Sequence, residues 1–160
     1  MTKKSYPWES AITPTGIIAA SLRDLENELL DAVVTAAALV ARADGWVDPV
    51  EREQLLDFLD VNEFMLVFSR AEIVDAFERR IRELRKPDGT VAALGRLRRQ
   101  SERRMARSLA SLVVDAGEQV AAADCRLDPR EQRILQLIRT TLRASSSSSA
   151  PTAQLPLDRE

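Results

Sequence analysis

Ala43-Asp44-Gly45-Trp46-Val47-Asp48-Pro49-Val50-Glu51 returns further along the chain as Ala123-Asp124-Cys125-Arg126-Leu127-Asp128-Pro129-Arg130-Glu131. In each copy an alanine-rich segment ends at an aspartate, a short turn carries one aliphatic residue (Val47 or Leu127), and Asp-Pro-x-Glu follows. The last four residues are those a helix start requires. Aspartate at the N-cap accepts bonds from exposed amides, proline at the first helical position lacks only an N–H that would go unbonded, and glutamate reaches back to the cap amide. Each copy therefore reads as a helix–loop–helix hairpin, and the chain as an internal, pseudo-twofold repeat.

Working outward, Leu22, Leu25, Leu29, Val33, Ala36 and Val40 recur at the spacing of one helical face. They predict a long helix from Ser21, with Asp24 completing a capping pair, to about Ala43, ended by Gly45. A second helix runs from Asp48 to near Asp60 with Leu55, Leu56 and Leu59 inward, and the apolar stretch Asn62 to Phe68 reads as a short buried helix. Ser69 and Glu72 form a capping box for a helix burying Ile73, Phe77, Ile81 and Leu84, which Lys86-Pro87-Asp88-Gly89 stops. Thr90 to Gln100 reads as a brief helix. Ser101 then opens a long one, with Met105, Leu109, Leu112, Ala116 and Val120 on one face, to about Ala123. A final helix follows Asp128 to Arg143, its inner side Ile134 or Leu135, Ile138 and Leu142. The fold class is all-α: a single compact bundle of about seven helices containing the repeated hairpins. Residues 1–20 read as an N-terminal arm, 21–143 as the helical domain, and 144–160, with serines at Ser145 to Ser149, as a disordered tail.

Composition agrees. With 160 residues, 45% hydrophobic and 30% charged, the chain supports one globular domain, whereas 4% aromatics and five glycines supply strands and hairpins poorly. The absence of histidine removes the commonest general base and metal ligand. The lone Cys125 can form neither an internal disulfide nor a thiolate metal cage, and fits a reducing cytoplasm. No nucleophile–base arrangement, cofactor motif or glycine-rich phosphate loop is present, so no enzyme is expected. Tyr6 to Thr15 is interrupted by Pro7, Glu9 and Pro14, which argues against a signal peptide. The longest apolar run, Ala32 to Ala41, is about half of the ~20 residues a membrane span needs.

Asp48, Glu51, Asp128 and Glu131 have a structural explanation as helix caps. Asp44 and Asp124 do not, because a carboxylate at a helix C-terminus faces the negative end of the dipole. Two compensations are open: an Asx turn, in which the carboxylate accepts loop amides, or a bound hard cation such as Ca²⁺ or Mg²⁺, which takes carboxylate and carbonyl oxygens. The spacing is not that of an EF-hand. If the hairpins meet, Asp44, Asp48, Glu51, Asp124, Asp128 and Glu131 pool into one acidic pocket for a cation or a cationic partner.

The stretch Ala38-Leu39-Val40-Ala41-Arg42-Ala43-Asp44-Gly45-Trp46-Val47-Asp48-Pro49-Val50-Glu51-Arg52, with its second copy, resembles the signature of the TerB-like family, and the resemblance spans Leu22 to Leu142. That family includes a tellurite-resistance protein and a region of a membrane-anchored co-chaperone. The resemblance implies a helical bundle in a cytoplasmic bacterial setting and a role in stress or tellurite resistance without catalysis. It also implies protein partners, some membrane-associated, and metal binding through Asp44, Asp48, Glu51, Asp124, Asp128 and Glu131. The second copy departs from the pattern at Cys125, where glycine is expected, and Arg126 and Arg130 place positive charge beside its acids.

The net charge of −2 conceals an acidic first part and a basic middle, from Arg79, Arg80, Arg82 and Arg85 to Arg103, Arg104 and Arg107. The alternative function is an arginine-rich module binding anionic surfaces, nucleic acid or membrane lipid, with the acidic loops only capping helices. The opposing reading is a solvated face exchanging ion pairs with the acidic part. No aromatics interleave with the arginines to stack bases, which disfavours nucleic acid. Trp46 in the first turn either packs on the neighbouring hairpin or anchors a partner.

Overall fold

Ala32, Val33, Val34, Ala36, Ala37, Ala38, Leu39, Val40 and Ala41 are all buried, so this part of the first helix is covered on every side. A helix that is apolar all round belongs at the centre of a bundle, and its alanines let neighbouring backbones come close. The computed structural model places it there, and describes residues 14–45, 47–102, 107–123 and 128–146. This central helix, α1 (Pro14–Ala41), packs most extensively on α5 (Arg107–Ala121) and also meets α3 (Arg70–Leu84), α4 (Gly89–Glu102) and α6 (Pro129–Ser146). Between α1 and α3 lies α2 (Pro49–Asp60), which rests on α5 and α3. The second helix of each hairpin thus touches the first helix of the other, α2 on α5 and α6 on α1.

The inward faces are those the periodicity predicts. Leu55, Leu56 and Leu59 of α2, Ile73, Phe77, Ile81 and Leu84 of α3, and Leu112, Ala116 and Val120 of α5 join one core. On α6 the choice falls on Leu135, with Ile138 and Leu142, while Ile134 is only partly buried. Burying each large side chain contributes about 1.5–3 kcal/mol. Local chemistry sets the starts. Ser69 and Glu72 form a complete capping box for α3, with the Ser69 N–H donating to Glu72 Oε2 at 2.7 Å.

Four expectations need correction. The first helix begins at Pro14, not Ser21; proline is suited to a first helical turn, so the Ser21–Asp24 signal falls inside the helix. The third expected helix is a single 3₁₀ turn, Glu63–Met65, which buries Met65 and leaves Leu66 and Val67 exposed. Ser101 does not open a helix, because its hydroxyl donates to the Arg98 carbonyl within α4. The last helix continues past Arg143 to Ser146. The described residues therefore contain six α-helices and one 3₁₀ turn rather than seven helices, with no strand among them. No helix among them is long and apolar enough to cross a membrane. Trp46, the first thirteen residues, the side chains of Met105 and Leu109, and the tail beyond Ser146 lie outside the described residues.

Candidate acidic site at the hairpin turns

At the end of α1 the backbone winds down through Arg42 N–H to Ala38 carbonyl (3.1 Å) and Ala43 N–H to Val40 carbonyl (2.9 Å). Gly45 then takes a φ of 98°, the left-handed conformation that glycine adopts without steric cost. Its amide donates to the Arg42 carbonyl at 3.0 Å, and the Arg42 guanidinium donates back to the Gly45 carbonyl at 3.3 Å. The chain reverses and α2 starts at once. Asp48 is the N-cap, its carboxylate accepting from Val50 N–H at 2.8 Å, and Glu51 Oε2 accepts from Asp48 N–H at 2.8 Å.

The second hairpin repeats this pattern. Ala122 N–H donates to the Glu118 carbonyl and Ala123 N–H to the Val120 carbonyl at 3.0 and 3.1 Å. At the start of α6, Asp128 accepts from Arg130 N–H at 2.7 Å, and Glu131 Oε2 accepts from Asp128 N–H at 2.9 Å. Asp48 and Asp128 thus act as caps in both copies, as the Asp-Pro-x-Glu spacing predicts.

Burial separates the acids into two groups. Asp44, Asp48 and Asp128 are exposed, whereas Glu51 and Glu131 are only 9% and 6% exposed. Burial pushes the Glu51 carboxyl up to about 7. The bond from the Asp48 amide opposes that rise, and the charges of Glu131, Asp44 and Asp48 add to it. Glu51 therefore stands within the field of an acid from the other hairpin. The structure brings Asp44, Asp48, Glu51 and Glu131 into one electrostatic neighbourhood, while Asp124 lies outside the described residues. Among the described residues, no three histidine, cysteine, aspartate or glutamate side chains stand close enough together to hold a metal ion. Burial and these neighbouring charges therefore hold Glu51 protonated up to about pH 7.

The basic middle contains a residue whose burial the sequence did not reveal. Arg80 is 8% exposed and is ion-paired with Asp31 of α1 and Glu83 of α3. Arg96 approaches the same two carboxylates at 3.7 and 3.6 Å, and Arg98 pairs with Glu102 at 3.6 Å. The one available signal was Asp31, a charge at the edge of the apolar run.

A family model described as "Tellurite resistance protein TerB" matches residues 30–153. No curated protein and no solved structure matches the chain. The matched stretch starts within α1 and takes in both hairpins and the α3–α4 connection between them. On that match, over most of its length and through both acidic turns, the chain belongs to the TerB family of tellurite-resistance proteins.

Proposed function

We propose that the protein is a non-enzymatic stress or tellurite-resistance protein that takes up a positive charge where its two hairpins meet. The ligand is a divalent cation, Ca²⁺ or Mg²⁺, and the outcome is passed on by contact with partner proteins. The observation that carries this reading is the pairing of Glu51 with Glu131: one acid from each hairpin, both buried, each in the field of the other. Each second helix rests on the first helix of the other hairpin, which supports a pseudo-twofold relation between the hairpins.

A cation at this point favours the ionised form of Glu51, which burial and the neighbouring acids otherwise hold protonated up to about pH 7. Hard ions take oxygen donors, carboxylates foremost among side chains. Because three acids do not converge among the described residues, water completes the donor set, as Mg²⁺ in particular prefers. Of the basic middle, Arg80 is taken up by Asp31 and Glu83, whereas Arg79, Arg82, Arg85 and Arg99 are exposed, so the anionic-surface alternative rests on those four. The lack of histidine supports a role without catalysis.

The test is calorimetric titration of Ca²⁺, Mg²⁺ and Mn²⁺ into metal-stripped protein, alongside Asp44→Asn and Glu51→Gln. Saturable heat whose size depends on the buffer, and which weakens in both variants, is the expected result, because ion binding displaces a proton from Glu51. The absence of heat at millimolar ion would discard the metal, as would heat unchanged in both variants. The acidic end would then be left to a cationic segment of a partner protein.

A further inference from the structure

About 9 Å back along α1 from its end at Ala41, at the helical rise per residue, α1 meets the corner between α3 and α4. A cavity of about 380 Å³ opens there. Thr35 lines it on the α1 side, Arg80 and Glu83 on α3, Lys86 in the turn, and Gly89 and Arg96 on α4. Its volume falls within the range of sites for small organic molecules, ~300–1,000 Å³.

Two donor groups on this lining are not fully used within the protein. Thr35 is 1% exposed, and its hydroxyl makes no hydrogen bond. A helical threonine ordinarily turns its hydroxyl to a carbonyl in the preceding turn, and a buried hydroxyl without a partner is rare because it has lost water and gained nothing. Arg96 meets Asp31 and Glu83 only at charge-contact distances of 3.7 and 3.6 Å, so its N–H groups keep donor capacity.

The first turn of α4 forms another wall. A Cβ on Gly89 would stand 2.6 Å from the Glu83 carbonyl, so only glycine lets α4 begin this close to the end of α3. That turn presents the positive end of the helix dipole beside the cavity. Leu84, Pro87, Ala92 and Ala93 supply an apolar side. Asp31 and Glu83 balance Arg80 and Arg96, and Asp88 opposes Lys86, so the pocket offers donors with little net charge. Such a lining suits one carboxylate on an apolar body and disfavours a dianion.

We propose that this cavity binds a small organic monocarboxylate, whose polar head takes up the Thr35 hydroxyl and the Arg96 guanidinium and whose body lies against Leu84, Pro87 and Ala93. The site is separate from the acidic turns and does not depend on their reading.

The test follows backbone amide signals of the full chain by NMR as sodium benzoate, neutral benzamide or inorganic phosphate is added. Benzoate is expected to move the Gly89, Ala92 and Ala93 signals saturably at millimolar concentration, with benzamide and phosphate much weaker. Thr35→Val, which keeps the shape and removes only the unbonded hydroxyl, should leave the fold intact and weaken benzoate about tenfold. Ala92→Leu, at an exposed position on the cavity wall, should block binding by filling it. The proposal is overturned if benzoate gives no saturable change, if both variants bind it like the parent, or if phosphate binds equally well.

Discussion

Glu51→Gln should stabilise the protein at mildly alkaline pH and remove most of the pH dependence of its unfolding between about pH 5 and 8. Glutamine keeps the oxygen that accepts the Asp48 amide but cannot ionise. In the folded chain the Glu51 carboxyl is raised from an ordinary 4.5 to about 7, first by burial and then by Glu131, Asp44 and Asp48. The folded state therefore holds a proton that the unfolded chain releases. This contribution is complete below the unfolded value near 4.5 and disappears as the pH rises through about 7. The displacement amounts to about 3 kcal/mol in total, most of it falling between about pH 5 and 8. Urea unfolding followed by circular dichroism, in chelator, should show the parent losing about 2–3 kcal/mol across that window while the glutamine variant stays nearly flat. Glu131→Gln should shrink the parent's slope, because it removes one of the charges that raise Glu51. Parallel pH profiles for parent and Glu51→Gln would refute the argument, and an unchanged slope in Glu131→Gln would refute the meeting of the two hairpins.

Substitutions at three further positions address the frame. Arg80→Ala leaves Asp31 without its ion-pair partner against the core and should cost about 2–3 kcal/mol in chemical denaturation; a change within experimental error would mean that the pair contributes nothing. Gly45→Ala forces a side chain into a backbone with φ of 98° and should lower stability by about 1 kcal/mol, read as a shift in the thermal midpoint. Asp128→Ala removes the carboxylate that accepts Arg130 N–H, with an expected loss of about 1 kcal/mol, and Asp128→Asn should recover most of it.

The parts of the fold that were legible are those fixed by neighbours in sequence. Asp48 with Glu51 and Ser69 with Glu72 declare their helices because the bonds close within one turn. The buried faces of α2, α3 and α5 follow from a period of three to four residues. The segment after α2 misled because an apolar run does not reveal whether a partner surface exists: Met65 finds the core, while Leu66 and Val67 do not. Ser101 carried a capping residue type, but its hydroxyl had a carbonyl within reach inside α4. At the acidic site, the capping roles were readable and the pairing was not. Glu131 reaches Glu51 through its charge, with α2 resting on α5 and α6 on α1, an arrangement that no local spacing encodes. Arg80 was grouped with solvated arginines for the same reason, since its counter-charge lies on a helix distant in sequence.

The central position of α1 has a further consequence during synthesis. Its covered stretch, Ala32 to Ala41, emerges from the ribosome well before α5, the neighbour it touches most. At roughly 5–20 residues per second, the wait lasts on the order of ten seconds. Throughout that interval the nascent chain displays an apolar helix that α3 and α4 cover only in part, a substrate for ribosome-associated chaperones and a nucleus for aggregation. Stalled chains ending before Arg107 should therefore be captured by chaperones or precipitate, while chains long enough to release α5 should become protease-resistant.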